Sequence, residues 1–166
     1  MCGAVVQGRE AAAWAALDTV MDPEIPVLSL RDLGIVRGVR LVASGGLEVL
    51  LTPTYSGCPA TEVITESVRR ALEDADLGPV QVTQQLSPPW TTDWITPEGR
   101  RKLREYGIAP PGAAADAVVR LHPRSIECPR CGSTHTERLS AFGATACKAL
   151  HRCLDCREPF EHFKPL

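Results

Sequence analysis

Aromatic side chains are scarce, at 5% of 166 residues, and no apolar run approaches the ~20 residues that a membrane span needs. The opening Met1-Cys2-Gly3-Ala4-Val5-Val6-Gln7-Gly8 has no basic region leading into a long apolar core. No secretory leader is therefore expected, and a cytoplasmic location follows. Gly and Pro, at 13 and 14 residues, are too few for a collagen-like or low-complexity chain. Histidine is missing ahead of His122, which removes the usual Cys–His activation from any nucleophilic role in that stretch. Neither a Gly-rich dinucleotide loop nor a helical Glu-x-x-His pair occurs, so a nucleotide fold and a carboxylate-bridged di-iron centre both lack their ligands here. What remains is 44% hydrophobic and 23% charged, enough to bury the core of one domain of roughly 100 residues plus a smaller module.

Cysteine is what the chain has in excess. Four of the seven fall in two pairs, Cys128-Pro129-Arg130-Cys131 and Cys153-Leu154-Asp155-Cys156, with 21 residues between them. In a reducing cytosol such spacing argues for a metal rather than disulfides, and two tight turns can direct four sulfurs at one tetrahedral ion. Zinc is the default occupant, since it supplies folding energy to a module with little core; four thiolates also suit iron or an iron–sulfur cluster. Cys147 lies outside both pairs and reads as a small buried apolar residue, with ligand exchange as the sharper alternative. His135, His151 and His162 read as surface or packing residues. Residues 108–166 carry 8 basic and 6 acidic groups. Four thiolates on one Zn²⁺ cancel that excess, so no nucleic-acid partner is expected.

Apolar periodicity predicts a helix from Glu10 to Met21, ended by Asp22-Pro23, and a hairpin of strands Ile35–Val42 and Leu47–Leu51. A second amphipathic helix is expected over Thr61–Ala75 and a third strand over Val80–Leu86. Thr96-Pro97 opens a third helix, Glu98–Tyr106, which Gly107 ends. The expected fold is α+β: an α-β-β-α-β-α two-layer domain with a mixed sheet over residues 1–112, a linker over 113–123, and a Cys₄ ribbon over 124–166. Trp90 and Trp94, with no basic cluster among them, read as packing under a loop.

Cys58 stands alone between the second strand and the second helix, flanked by Gly57 and Pro59. There helix amides and dipole favour an exposed, acidic thiol, against the plainer alternative of an inert cysteine under the loop. Asp22-Pro23-Glu24-Ile25-Pro26 is stiffened by its prolines, and Asp22 and Glu24 are either positioned groups or solvated charge with Asp22 capping.

The stretches Asp22–Pro26, Asp32–Val36 and Gly57–Ala60, extended by Asp93-Trp94-Ile95-Thr96 and Gly107–Pro111, resemble the small iron–sulfur assembly domain of SufT-like proteins. Joined to a Cys₄ zinc ribbon with Ser140–Leu150 and Glu158-Pro159-Phe160, the whole is similar to the PaaD (PaaJ) family, which belongs to the phenylacetyl-CoA epoxidase (phenylacetate-CoA oxygenase) system. The resemblance implies an accessory, non-catalytic maturation role in aerobic phenylacetate catabolism. It places the family's reactive cysteine at Cys58 and its acidic motif at Asp22 and Glu24, for binding or transferring iron or an iron–sulfur cluster. Partners would be the epoxidase reductase and oxygenase subunits, or a second copy bridging through Cys58, and neither nucleic acid nor membrane. A docking protein with only a structural zinc is the alternative. His162 departs from the aromatic expected in the last ribbon strand.

Overall fold

The structure is a computed structural model that describes residues 2–55, 57–112 and 125–166; the expected linker, 113–123, lies outside the described residues. The chain divides into two compact units, Met1–Trp90 and Thr91–Leu166.

In the first unit, helix α1 (Cys2–Leu17) precedes strands β1 (Val36–Leu41) and β2 (Leu47–Leu51), helix α2 (Thr61–Asp74) and strand β3 (Val80–Gln84). Helix α1 stops at Leu17, earlier than the expected Met21. The Thr19 hydroxyl donates to the Ala16 carbonyl at 2.7 Å and takes an acceptor that the next turn of helix would use. Val20, not Met21, is buried, and Met21 bridges antiparallel to Ser29. The sheet runs β1-β2-β3, with β1–β2 antiparallel and β2–β3 parallel, so it is mixed as expected. A parallel pair needs a crossover, and α2 supplies it. Its Ile64, Val68 and Leu72 recur every fourth residue and are buried as one stripe. Gly46 lets the hairpin pass the β3 strand entrance, because a Cβ there would lie 2.6 Å from the Pro79 carbonyl oxygen. Trp90 is buried and its indole N–H donates to the Leu33 carbonyl at 2.9 Å, which is the packing role expected of it.

In the second unit, a short 3-10 turn (Thr92–Trp94) leads to helix α3 (Pro97–Tyr106). The Thr96 hydroxyl accepts from the Gly99 amide at 3.0 Å and Gly107 closes the helix at φ 91°, as the sequence indicates. Strands β4 (Ile108–Ala109), β5 (Thr136–Ser140), β6 (Lys148–Cys153) and β7 (Pro159–Phe163) form one sheet in the order β4-β7-β6-β5. The β4 strand pairs parallel with β7 through Ile108–Glu161 and Ala109–His162. The second compact unit thus begins at Thr91 and takes in α3 and β4, which the sequence pattern groups with the first domain up to Gly112. A two-residue strand between a left-handed glycine and two prolines leaves no periodicity to read, and its pairing is with residues far along the chain. Strand β7 forms with His162 in it, buried against its neighbours.

Candidate metal centre and cysteine loop

The four paired cysteines meet in the second unit, with all ligand atoms within 4.8 Å of one another. Cys128 and Cys156 sulfurs are 3.8 Å apart, and those of Cys131 and Cys153 are 3.6 Å apart. Tetrahedral metal–sulfur bonds of about 2.3 Å put sulfurs about 3.8 Å apart, while a disulfide needs about 2.05 Å. The residues present thus fit a tetrahedral ion.

Both turns are built alike. The Cys128 amide donates to the Ser133 carbonyl at 2.8 Å, and the Cys153 amide to the Glu158 carbonyl at 3.0 Å, each bond closing over five residues. The residue after each second cysteine is left-handed, Gly132 at φ 75° and Arg157 at φ 67°. This bend turns backbone amides toward the sulfurs. The Cys156 amide draws the Cys153 thiol down to about 7. At Cys131 the Ser133 amide pulls the same way, but the proton shared with Cys153 and lost hydration outweigh it and hold the thiol at about 12. A metal must displace such protons, so binding releases acid and weakens as pH falls. Asp155 ties the turns together: its carboxylate accepts from the Ser133 hydroxyl and meets His135 Nδ1 at 3.1 Å. These two contacts, in that order, keep Asp155 below the usual carboxylate range. Ser133 and Asp155 carry no mark in the sequence beyond their places beside the cysteines. Cys147 is buried outside the cluster with the Thr145 hydroxyl 3.0 Å from its sulfur, in keeping with the packing reading.

In the first unit, Cys58 sits in the loop between β2 and α2. It is half-buried rather than exposed, and α2 starts only at Thr61, after Ala60 at the cap position. Helix contact comes through the Cys58 carbonyl, which accepts from the Thr61 amide at 3.2 Å and hydroxyl at 2.8 Å. Asp22 is buried, and its Oδ1 accepts from the Glu24 amide at 2.9 Å and the Ile25 amide at 2.7 Å. That is capping, and it fixes the acidic loop; Glu24 is half-exposed. Among the described residues, Cys58, Asp22 and Glu24 do not gather into a metal-sized cluster as the ribbon cysteines do. Thr52, at the head of the Cys58 loop, keeps a buried hydroxyl with no hydrogen-bond partner among the described residues, a feature no sequence pattern reveals.

Residues 113–164 match the PaaD zinc beta ribbon domain, and residues 10–83 match an iron–sulfur cluster assembly protein family. A protein of Escherichia coli K12 named as a subunit of 1,2-phenylacetyl-CoA epoxidase is 53% identical over 91% of this chain and 90% of its own length. The chain belongs to the PaaD family of phenylacetyl-CoA epoxidase subunits. This PaaD-family chain has further relatives over part of its length. The Fe-S protein maturation auxiliary factor YitW of Bacillus subtilis is 38% identical over 47% of this chain and 76% of its own length. A solved domain of unknown function, DUF59, from Bacillus anthracis overlays with a TM-score of 0.56 at 24% identity, covering 60% of this chain and 95% of that one, and shows the fold. Among the described residues of the PaaD-family chain, no helix is long and apolar enough to cross a membrane.

Proposed function

We propose that the chain is an accessory protein that delivers iron or an iron–sulfur cluster to the reductase or oxygenase of a phenylacetyl-CoA epoxidase, with Cys58 as the transfer thiol. The union of an iron–sulfur assembly domain with an epoxidase-type ribbon in one chain carries this reading. Zinc is the ion for the ribbon, where Cys128, Cys131, Cys153 and Cys156 would hold it and it would supply folding energy instead of chemistry. Iron or the cluster is cargo. One thiolate is too few ligands for a cluster, so a client cysteine or a second copy completes its shell. Transfer is then ligand exchange without net redox: a client thiol loses its proton and binds the iron as thiolate, the Cys58–iron bond breaks, and the Cys58 thiolate takes up a proton in exchange. Asp22 acts by holding the acidic loop in shape. Half-burial of Cys58 favours, as the second reading, the docking alternative in which only zinc is held.

The two separate on one comparison. Delivery predicts that Cys58→Ala keeps the melting temperature and ribbon metal, loses the iron bound on anaerobic purification, and leaves the reductase under-loaded in cells growing on phenylacetate. Asp22→Ala should instead lower the stability of the first unit by about 1–3 kcal/mol, because two loop amides lose their acceptor. A fully loaded reductase in the Cys58→Ala strain selects docking.

A further inference from the structure

The segment Ser140–Leu150 is used by neither the cysteine centre nor the Cys58 loop, yet its conformation is tightly fixed. Strand β5 is the edge of its sheet, and its pairing with β6 slips between Arg138 and Ser140, so Leu139 is an extra, bulged residue. Bulges re-aim side chains, and Leu139 is 50% exposed. Just beyond it Phe142 is 65% exposed. The loop that carries Phe142 is pinned from beneath. The buried Lys148 ammonium meets Glu161 Oε2 at 2.7 Å, while Glu161 Oε1 accepts from the Ala144 amide at 2.7 Å. The Gly143 amide donates to the Lys148 carbonyl at 2.7 Å, and a Cβ on Gly143 would stand 2.5 Å from Glu161 Oε1. A buried ion pair adds little net stability over apolar packing, but it fixes one arrangement. Here it fixes a loop whose tip is a large apolar ring in water.

We propose that Phe142 and Leu139 are the anchors of a docking surface for a protein of the epoxidase system, one that offers an apolar pocket edged by carboxylates. The charge argues for that occupant. Lys164 Nζ lies 4.5 Å from the Phe142 ring centre, and Arg138 adjoins the bulge. Among the described residues no carboxylate pairs with either, whereas neighbouring Glu137 and Glu161 are neutralised by Arg152 and Lys148. Aromatic anchors within a rim of one charge sign are the features from which interfaces draw affinity and encounter rate.

The inference rests on the proposed service to an epoxidase, and the test keeps the two apart. Purified reductase and oxygenase subunits are immobilised separately as probes for the full chain. Wild type should bind one of them. Phe142→Ala should weaken that binding by about 30-fold, the size of an interface anchor, with metal content and melting temperature unchanged. Leu139→Ser gives a second reading of the same surface, and Lys164→Glu should slow association most at low salt. Wild-type-like binding by Phe142→Ala and Leu139→Ser overturns the surface and leaves the delivery reading standing. Failure of the wild type to bind either probe overturns both. A shift of the wild-type sedimentation from dimer to monomer in Phe142→Ala would overturn it too, by making a second copy the occupant.

Discussion

His162 shows what one side chain can conceal. Burial first, then the charge of His151, pushes its imidazole down to about 4. The rings of His151 and His162 meet edge-on at 5.5 Å, and burial with nearby Arg138 lowers His151 as well. An unfolded histidine titrates near 6.5, so the unfolded chain binds protons first as pH drops. The stability contributed by neutral His162 is therefore complete above about pH 6.5 and is lost as pH falls toward 4. His162→Phe should flatten the dependence of melting temperature on pH over that window, with the metal content followed in parallel because thiolate protonation releases the ion over a similar range. An unchanged slope would show that the cysteines alone set acid sensitivity. The sequence marks His162 only as a surface or packing residue standing where the resemblance leads one to expect an aromatic. Its burial depends on strands that join residues far apart in the chain, which local pattern does not report.

At the scale of elements, what is legible in the sequence is what local chemistry decides. Helix α3 starts and stops on its Thr96 cap and Gly107, and α2 is marked by its apolar stripe, because those bonds and contacts close within a few residues. The end of α1 escapes the pattern because Met21 continues the helical spacing while the backbone is already turning through Thr19. The two cysteine turns are legible as ligand pairs, but their shared left-handed residue is not: Gly132 fits that conformation and Arg157 does not. A non-glycine residue there costs about 1 kcal/mol. Arg157→Gly should therefore raise the unfolding free energy of the metal-loaded second unit by roughly 0.5–1 kcal/mol, read by denaturant titration, whereas Gly132→Ala should lower it. No gain from Arg157→Gly would mean that another contact of the arginine offsets the strain.

For the whole molecule, two units with different sources of stability predict two kinds of failure. The first buries a conventional core around Leu17, Leu47, Val49, Val68 and Leu72. The second gathers four sulfurs around one point, where a bound ion would add folding energy to a smaller apolar core. A strong chelator under reducing conditions should abolish hydrogen-exchange protection in β5–β7 and leave α2 and β2 protected, with re-addition of Zn²⁺ restoring the loss. Equal loss in both units would refute independent stabilisation. The pairing of β4 with β7 bears on where this chain can be cut. A fragment beginning at residue 113 would keep every cysteine ligand and the ladder from β7 to β6, yet it would strip β4 from the other side of β7 and bare the backbone groups that face it around Glu161 and His162. Bared edges of this sort recruit other chains, so such a fragment bears a self-association hazard that comes from the cut and not from the native fold.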